Sequence, residues 1–164
     1  MAIFYKPERF DILEYDHFWL SDTPNVIAST TWGHSNRRMV TWIRFLDRKT
    51  KKEFYFWNTH FDHRIQPARE KAALLVNKKV AALKTKLPIL LVGDFNASAG
   101  MNQAYDTLTK DGGFADTLLT AKKTINAEWN TMNGFRQVRK GGRRIDWVLA
   151  KGPLKTSEAE IVLY

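Results

Sequence analysis

Three short segments of the chain place side chains suited to phosphoryl chemistry where apolar or aromatic runs end. In PILLVGDFNAS, an apolar run gives way to Asp94 and Asn96, which strand alternation sends to the same side. A carboxylate and a carboxamide so placed can hold a divalent cation or its water and hydrogen-bond a phosphoryl oxygen. An oxygen-rich site with few protein ligands suits magnesium. The same residues also suit a β-turn in which Asp and Asn bond their own backbone. In EFYFWNTHFDH, Asn58 and His60 share one face while Trp57 and Thr59 take the other. An imidazole at a strand end can protonate a leaving oxygen or contact phosphate near neutral pH; the plain alternative is a satisfied, half-buried histidine. Asp62 and His63 shape the loop that follows. In GGRRIDWVLA, Asp146 lies within an apolar run, with Arg144 and Val148 on its face. An unpaired buried carboxylate is costly, so Asp146 either pairs with Arg144 or orients a catalytic imidazole. The strand alone favours the pair.

The surrounding elements must bring these segments together. AIFYKPERFDILEYDHFWL reads as two strands around the Pro7-Glu8-Arg9 turn. SDTPNVIASTTWGHSN reads as a loop. MVTWIRFLD and EFYFWNTHF are β-branched and aromatic, with RKTKK as the hairpin tip between them. Pro67 opens a helix whose stripe is Ala72, Leu75, Val76, Val80 and Leu83. Lys84 and Lys86 close it, where cations suit the dipole. PILLVGDFN reads as a central buried strand, MNQAYDTLTKDGG as a short helix closed by Gly112, and RIDWVLA and EAEIVLY as strands. Strands dominate with helices interspersed, which predicts an α/β or α+β fold of packed sheets.

No repeat or low-complexity linker interrupts the 164 residues, so a single domain over 1–164 is expected. A hydrophobic fraction of 44% with 13% aromatics is enough for a core and argues against disorder. The absence of cysteine excludes a disulfide framework and a Cys-based zinc site. No apolar run approaches the roughly 20 residues that span a bilayer, and MAIFYKPERF lacks the organisation of an export signal. A soluble chain, cytoplasmic rather than secreted, is the expectation. The net charge of +9 is concentrated in Arg48-Lys49-Lys51-Lys52 and in Arg136, Arg139, Lys140, Arg143 and Arg144. Either cluster can be a solvated surface, but the second lies beside the presumed chemistry and predicts attraction to nucleic acid. Of Trp32, Trp42, Trp57 and Trp129, those in loop-like stretches, Trp32 and Trp129, are the better candidates to stack on bases.

Taken together, Thr-His at a strand end, Gly-Asp-Phe-Asn 34 residues after His60, and Arg-Ile-Asp-Trp with Asp146 52 residues after Asp94 resemble the endonuclease/exonuclease/phosphatase superfamily. That superfamily includes pancreatic deoxyribonuclease, apurinic-site endonucleases, inositol-phosphate phosphatases and deadenylases. The flanking IFYKPERFDILE, FWLSDTP, TWIRF, FDHRIQPAREKAALL and PILLVGDFNA are similar to its bacterial branch, so the resemblance covers nearly the whole chain. It implies a deoxyribonuclease I-like β-sandwich of two mixed sheets flanked by helices, here truncated. It implies that His60 stabilises the phosphate or serves as an acid, that Asp94 and Asn96 position Mg2+ (or Mn2+), water and a phosphoryl oxygen, and that Asp146 orients a second histidine. Relatives begin with strands carrying an Asn and a Gln-Glu, and close with Ser-Asp-His. The chain opens downstream of the first and stops ahead of the second, and none of His17, His34, His60 and His63 takes the place of the last histidine. The resemblance therefore implies weak activity as a monomer. It also implies self-association that covers exposed sheet surfaces and brings a carboxylate such as Glu14, Glu53 or Glu70 to Asp94. A metal-dependent nuclease acting on DNA or RNA is the leading expectation. A phosphatase of small phosphate esters and a non-catalytic binding remnant stand beside it.

Overall fold

The computed structural model describes residues 1–163. Its main sheet has six strands in the order β1-β2-β3-β4-β7-β5. β1 (Phe10–Trp19), β2 (Met39–Asp47) and β3 (Lys52–His60) form an antiparallel meander. β4 (Ile89–Asp94) then runs parallel to β3, and β7 (Asp146–Lys151) returns antiparallel to β4. A parallel neighbour needs a crossover, supplied by the helix α1 (Gln66–Ala82) with Pro67 in its first turn. The edge strand β5 (Ala115–Asp116) follows α2 (Gln103–Asp106) and a π-helical turn over Thr107–Asp111. α3 (Thr117–Thr120), β6 (Lys123–Ile125) and β8 (Glu158–Glu160) complete the chain, with β6 and β8 pairing as a separate two-stranded sheet. The expected mixed α/β class with two sheets is therefore the fold observed.

Alternation decides which face is dry. Tyr55, Trp57 and Thr59 of β3, Ile89 and Leu91 of β4, and Trp147 and Leu149 of β7 are buried. All but the polar Thr59 join Ala72, Ala73, Val76 and Val80 of α1 in one core cluster. Leu75 and Leu83 of the predicted stripe pack at its margin. The opposite face carries Phe56, Leu90, Val92 and Val148, with Val148 48% exposed. A groove of about 790 Å3 runs between this face and the β8 segment, lined by Leu90, Val92, Val148, Ala150, Leu154 and Ile161.

Two local expectations differ from the structure. Residues before Pro7 form no strand: they cross the open face, where Ala2 carbonyl accepts from Asn58 Nδ2 at 2.8 Å and Tyr5 packs on Phe45 at 5.4 Å. Phe10 N–H bonds back to Lys6 carbonyl, which turns the chain before pairing can start. EAEIVLY is strand only over Glu158–Glu160, and Tyr164 lies outside the described residues.

Candidate active site

Register builds the site. His60 is paired with Asp94 across β3 and β4, and Asp94 with Asp146 across β4 and β7. Side chains directly opposite on neighbouring strands emerge on the same face, so one imidazole and two carboxylates form a row at one end of the open face. The next residue of each segment points the other way. Phe61, Phe95 and Trp147 are 0–1% exposed. They stack beneath the row, with Phe95 on Trp147 at 4.2 Å and Phe61 edge-on to Phe95 at 5.0 Å. The polar-then-aromatic pattern of His-Phe, Asp-Phe and Asp-Trp thus has a direct cause: one aromatic platform carries three functional groups.

The backbone tightens beneath the row. Gly93 has φ +151°, and a Cβ there would stand 2.0 Å from Thr59 carbonyl oxygen, so only glycine lets β4 lie this close to β3. Asn96 adopts a left-handed φ of 50°. Its N–H donates to Asp94 Oδ1 at 2.8 Å and its Nδ2 to Phe61 carbonyl at 3.0 Å. The turn reading of Asp94 and Asn96 is therefore realised, and the turn itself locks Asp94 toward His60, whose Nε2 is 3.4 Å from Asp94 Oδ2.

Burial, and after it the Arg38 guanidinium, holds His60 below the ordinary imidazole value. The ring is therefore neutral at neutral pH, able to donate one hydrogen bond and accept another. Asp146 is raised, first by desolvation in its cleft and also by Asp94 opposite it, against a hydrogen bond from Thr131 that lowers it. The expected Asp146–Arg144 pair does not form. Arg144 instead bonds Asp116, whose side chain is 2% exposed and also accepts from Tyr105 Oη at 2.8 Å. β5 offers the arginine a buried anion that the sequence of β7 alone does not reveal.

The five basic residues of the predicted nucleic-acid surface divide accordingly. Arg144 is internal. Lys140 pairs with Glu128 at 3.1 Å, while Arg136 and Arg139 are exposed on the loop. Arg143 reaches the site, donating to Ser98 Oγ at 2.9 Å and to Asn96 carbonyl at 3.5 Å. Trp57 is core and Trp42 stacks on it. Trp32 bonds Asp22, and Lys140 lies over Trp129 at 6.0 Å. Within one chain Glu14 and Glu53 both bind Arg44, and Glu53 lies seven residues along β3 from His60, roughly 23 Å away. Glu70 accepts from Gln66 on α1.

Sequence reasoning missed Arg38, which precedes β2. Its Nη2 lies 3.3 Å from His63 Nδ1, and its field reaches His60. A lone arginine before a strand has no spacing signature. The loop role of Asp62 does hold, since Oδ1 accepts from the Arg64 and Ile65 N–H groups ahead of α1.

The profile of the "Endonuclease/Exonuclease/phosphatase family" matches residues 1–163. The chain belongs to this family. Among solved structures, a mannosyl-6-phosphatase from Bacteroides thetaiotaomicron is similar, at 30% identity and a TM-score of 0.83 over 94% of this chain and 57% of that one. A second family protein from the same organism shares 32% identity with a TM-score of 0.79, covering 90% and 53%. One from Bacteroides vulgatus shares 27% with a TM-score of 0.83, covering 95% and 60%. A protein of Acanthamoeba polyphaga mimivirus is 32% identical over 93 residues, 55% of this chain and 34% of that protein. The chain thus spans little more than half the length of these family structures and a third of the viral relative.

Members of the family are hydrolases, phosphatases and nucleases among them, and generally use divalent metal ions. Among the described residues no three His, Cys, Asp or Glu side chains are grouped as a metal cage. What the row offers is two carboxylates in register, Asp146 raised first by desolvation and also by Asp94. That donor set fits Mg2+ of the kind held by one or two carboxylates and otherwise by water.

Proposed function

We propose that the His60–Asp94–Asp146 row is the centre of a metal-dependent phosphoester hydrolase, and that its substrate is a small phosphate ester. The observation that carries the reading is the register that sets three groups of the right chemistry side by side over one aromatic platform. Asp94, with Asp146 opposite, would hold Mg2+ or Mn2+. Such an ion neutralises phosphoryl oxygens and supplies an activated water. Neutral His60 can hydrogen-bond a phosphoryl oxygen from the β3 side, while Asn96, its Nδ2 already given to Phe61 carbonyl, keeps its side-chain oxygen as an acceptor for a metal-held water. Two facts favour a small ester. Arg144 and Lys140 are engaged by Asp116 and Glu128, and a similar structure is a mannosyl-6-phosphatase.

Phosphate release from hexose 6-phosphates with Mg2+ or Mn2+, abolished by chelator, tests the proposal. His60→Ala and Asp94→Ala are each expected to lower kcat by about 100-fold or more, the usual scale for acid–base or electrostatic groups. Unchanged turnover in both would reject the site.

The nucleic-acid reading is kept by the net charge of +9 and by exposed Arg136, Arg139 and Arg143 beside Asn96. Plasmid nicking without release of phosphate from sugar esters would favour it. Salt-sensitive DNA binding with no hydrolysis would instead favour a binding remnant.

A further inference from the structure

Asn133 and Gly134 form the one Asn-Gly step in the sequence, on the loop between β6 and β7. Such a step can react on itself. Glycine has no side chain to shield its backbone nitrogen, and that nitrogen can attack the preceding carboxamide carbon. The structure leaves the reaction open at this position. Gly134 is exposed with φ +64°, and nothing stands within 4 Å of the place a Cβ would take. Its N–H makes no hydrogen bond among the described residues. Asn133 Oδ1 accepts from the Phe135 N–H at 2.9 Å, which folds the carboxamide back over the Gly134 peptide and polarises its carbonyl. The comparable Asp111-Gly112 step is closed. Gly112 N–H is held by Thr107 carbonyl at 2.9 Å, and Gly112 is packed so tightly that a Cβ would lie 2.2 Å from Asn77 Oδ1.

The product of such a reaction would stand at the site. Asn133 is half-buried and lines the same groove as Asp94 and Asp146. Thr131 accepts from the Ile145 and Asp146 N–H groups, which ties this loop to the strand end that carries Asp146. We propose that Asn133 is a self-modification site: Gly134 nitrogen displaces ammonia from its side chain, water opens the resulting succinimide, and the carboxylate left behind weakens the groove's hold on a phosphate ester. In the first step the bond from Gly134 nitrogen to Asn133 Cγ forms and the Cγ–Nδ2 bond breaks. The proton lost by the peptide nitrogen passes through water and leaves with the carboxamide nitrogen as ammonia. Water then adds to either ring carbonyl, giving aspartate or isoaspartate; nothing is oxidised or reduced. A third carboxylate now lines the groove with Asp94 and Asp146, and it repels an anionic ester. This effect on substrate rests on the hydrolase reading of the His60–Asp94–Asp146 row, whereas the modification itself does not.

The test follows chemistry and turnover separately. The full chain is aged at mildly alkaline pH beside Asn133→Gln, with ammonia, isoaspartate and peptide masses measured over time. Asn133 should convert ahead of the other asparagines, while Asn133→Gln stays intact, because its longer side chain closes a ring far more slowly. With a hexose 6-phosphate, the aged parent and Asn133→Asp should both show KM raised about threefold to tenfold, the scale of one added, partly screened charge acting on a dianion. Asn133→Gln should keep the parental KM before and after ageing. Survival of Asn133 while other asparagines react, or equal ammonia release from the parent and Asn133→Gln, would overturn the modification. Parental KM in both the aged protein and Asn133→Asp would overturn its effect on substrate. No turnover in fresh protein would reject the hydrolase reading and that effect with it, and the peptide masses would still decide the modification.

Discussion

Arg143 and Arg144 are adjacent and chemically identical, yet their positions assign them opposite work. Arg143 is exposed and reaches Ser98 and Asn96 at the rim of the site. Arg144 is turned inward to Asp116, with 15% of its side chain exposed against 2% for the carboxylate. Removing one partner of a buried pair leaves the other charge uncompensated, at about 3–5 kcal/mol. Arg144→Ala is therefore expected to lose stability on that scale in urea unfolding, and Arg143→Ala to stay within about 0.5 kcal/mol of the parent. Equal stability of the two variants would refute the division. Nothing in GGRRIDWV distinguishes the two arginines, because the deciding anion sits on β5, 28 residues earlier. The residues that sequence did reveal, His60, Asp94 and Asp146, share a property it can display: each ends or begins an apolar run and is followed by an aromatic. Arg38 has no such mark.

At the scale of elements, the meander, the crossover helix and the buried strand β4 were all legible, since alternation and helical spacing report burial directly. The first predicted strand was not. AIFYK has strand composition, but composition does not supply a partner, and the turn at residues 7–9 directs the segment across the open face instead. Register was also illegible, although it is what brings His60, Asp94 and Asp146 level. Gly93 is the point where register and chemistry meet. A methyl group there would lie 2.0 Å from Thr59 carbonyl oxygen, which is backbone and cannot rotate away. Gly93→Ala must separate β3 from β4 just where they present the row, so overpacking of about 3 kcal/mol or more is expected. The loss should appear as a lower urea midpoint together with loss of hydrolysis. Thermal stability equal to the parent would show that β4 can shift without cost.

For the molecule as a whole, two features respond to conditions. His34 and His60 both lie below the ordinary imidazole value, first through burial. An unfolded chain takes up these protons near pH ~6.5, before the native state does. Stability is therefore complete above that pH and is lost as pH falls toward the native values. The melting temperature should drop on acidification below pH ~6.5, and less steeply in His34→Asn. The second feature is the open face. Main-sheet strands are covered by α1 on one side only, and the other carries Phe56, Leu90, Val92 and Val148, the last three lining a groove of about 790 Å3. Tyr15 of β1 and Val148, 73% and 48% exposed, extend it toward the sheet's two sides. Apolar area left in water favours association at roughly 25 cal/mol per Å2, while the net charge of +9 opposes contact between two copies. Salt screens the repulsion within a Debye length of about 10 Å at 0.1 M and leaves the apolar term intact. Self-association through this face should accordingly strengthen as salt is raised, the reverse of what an ion-paired interface would do. Sedimentation equilibrium across protein and salt concentration measures this, and Val148→Glu, which places a charge in the groove, should return the chain to monomer. A monomer at every concentration and salt would mean that the groove and the short N-terminal crossing segment shield the face well enough alone.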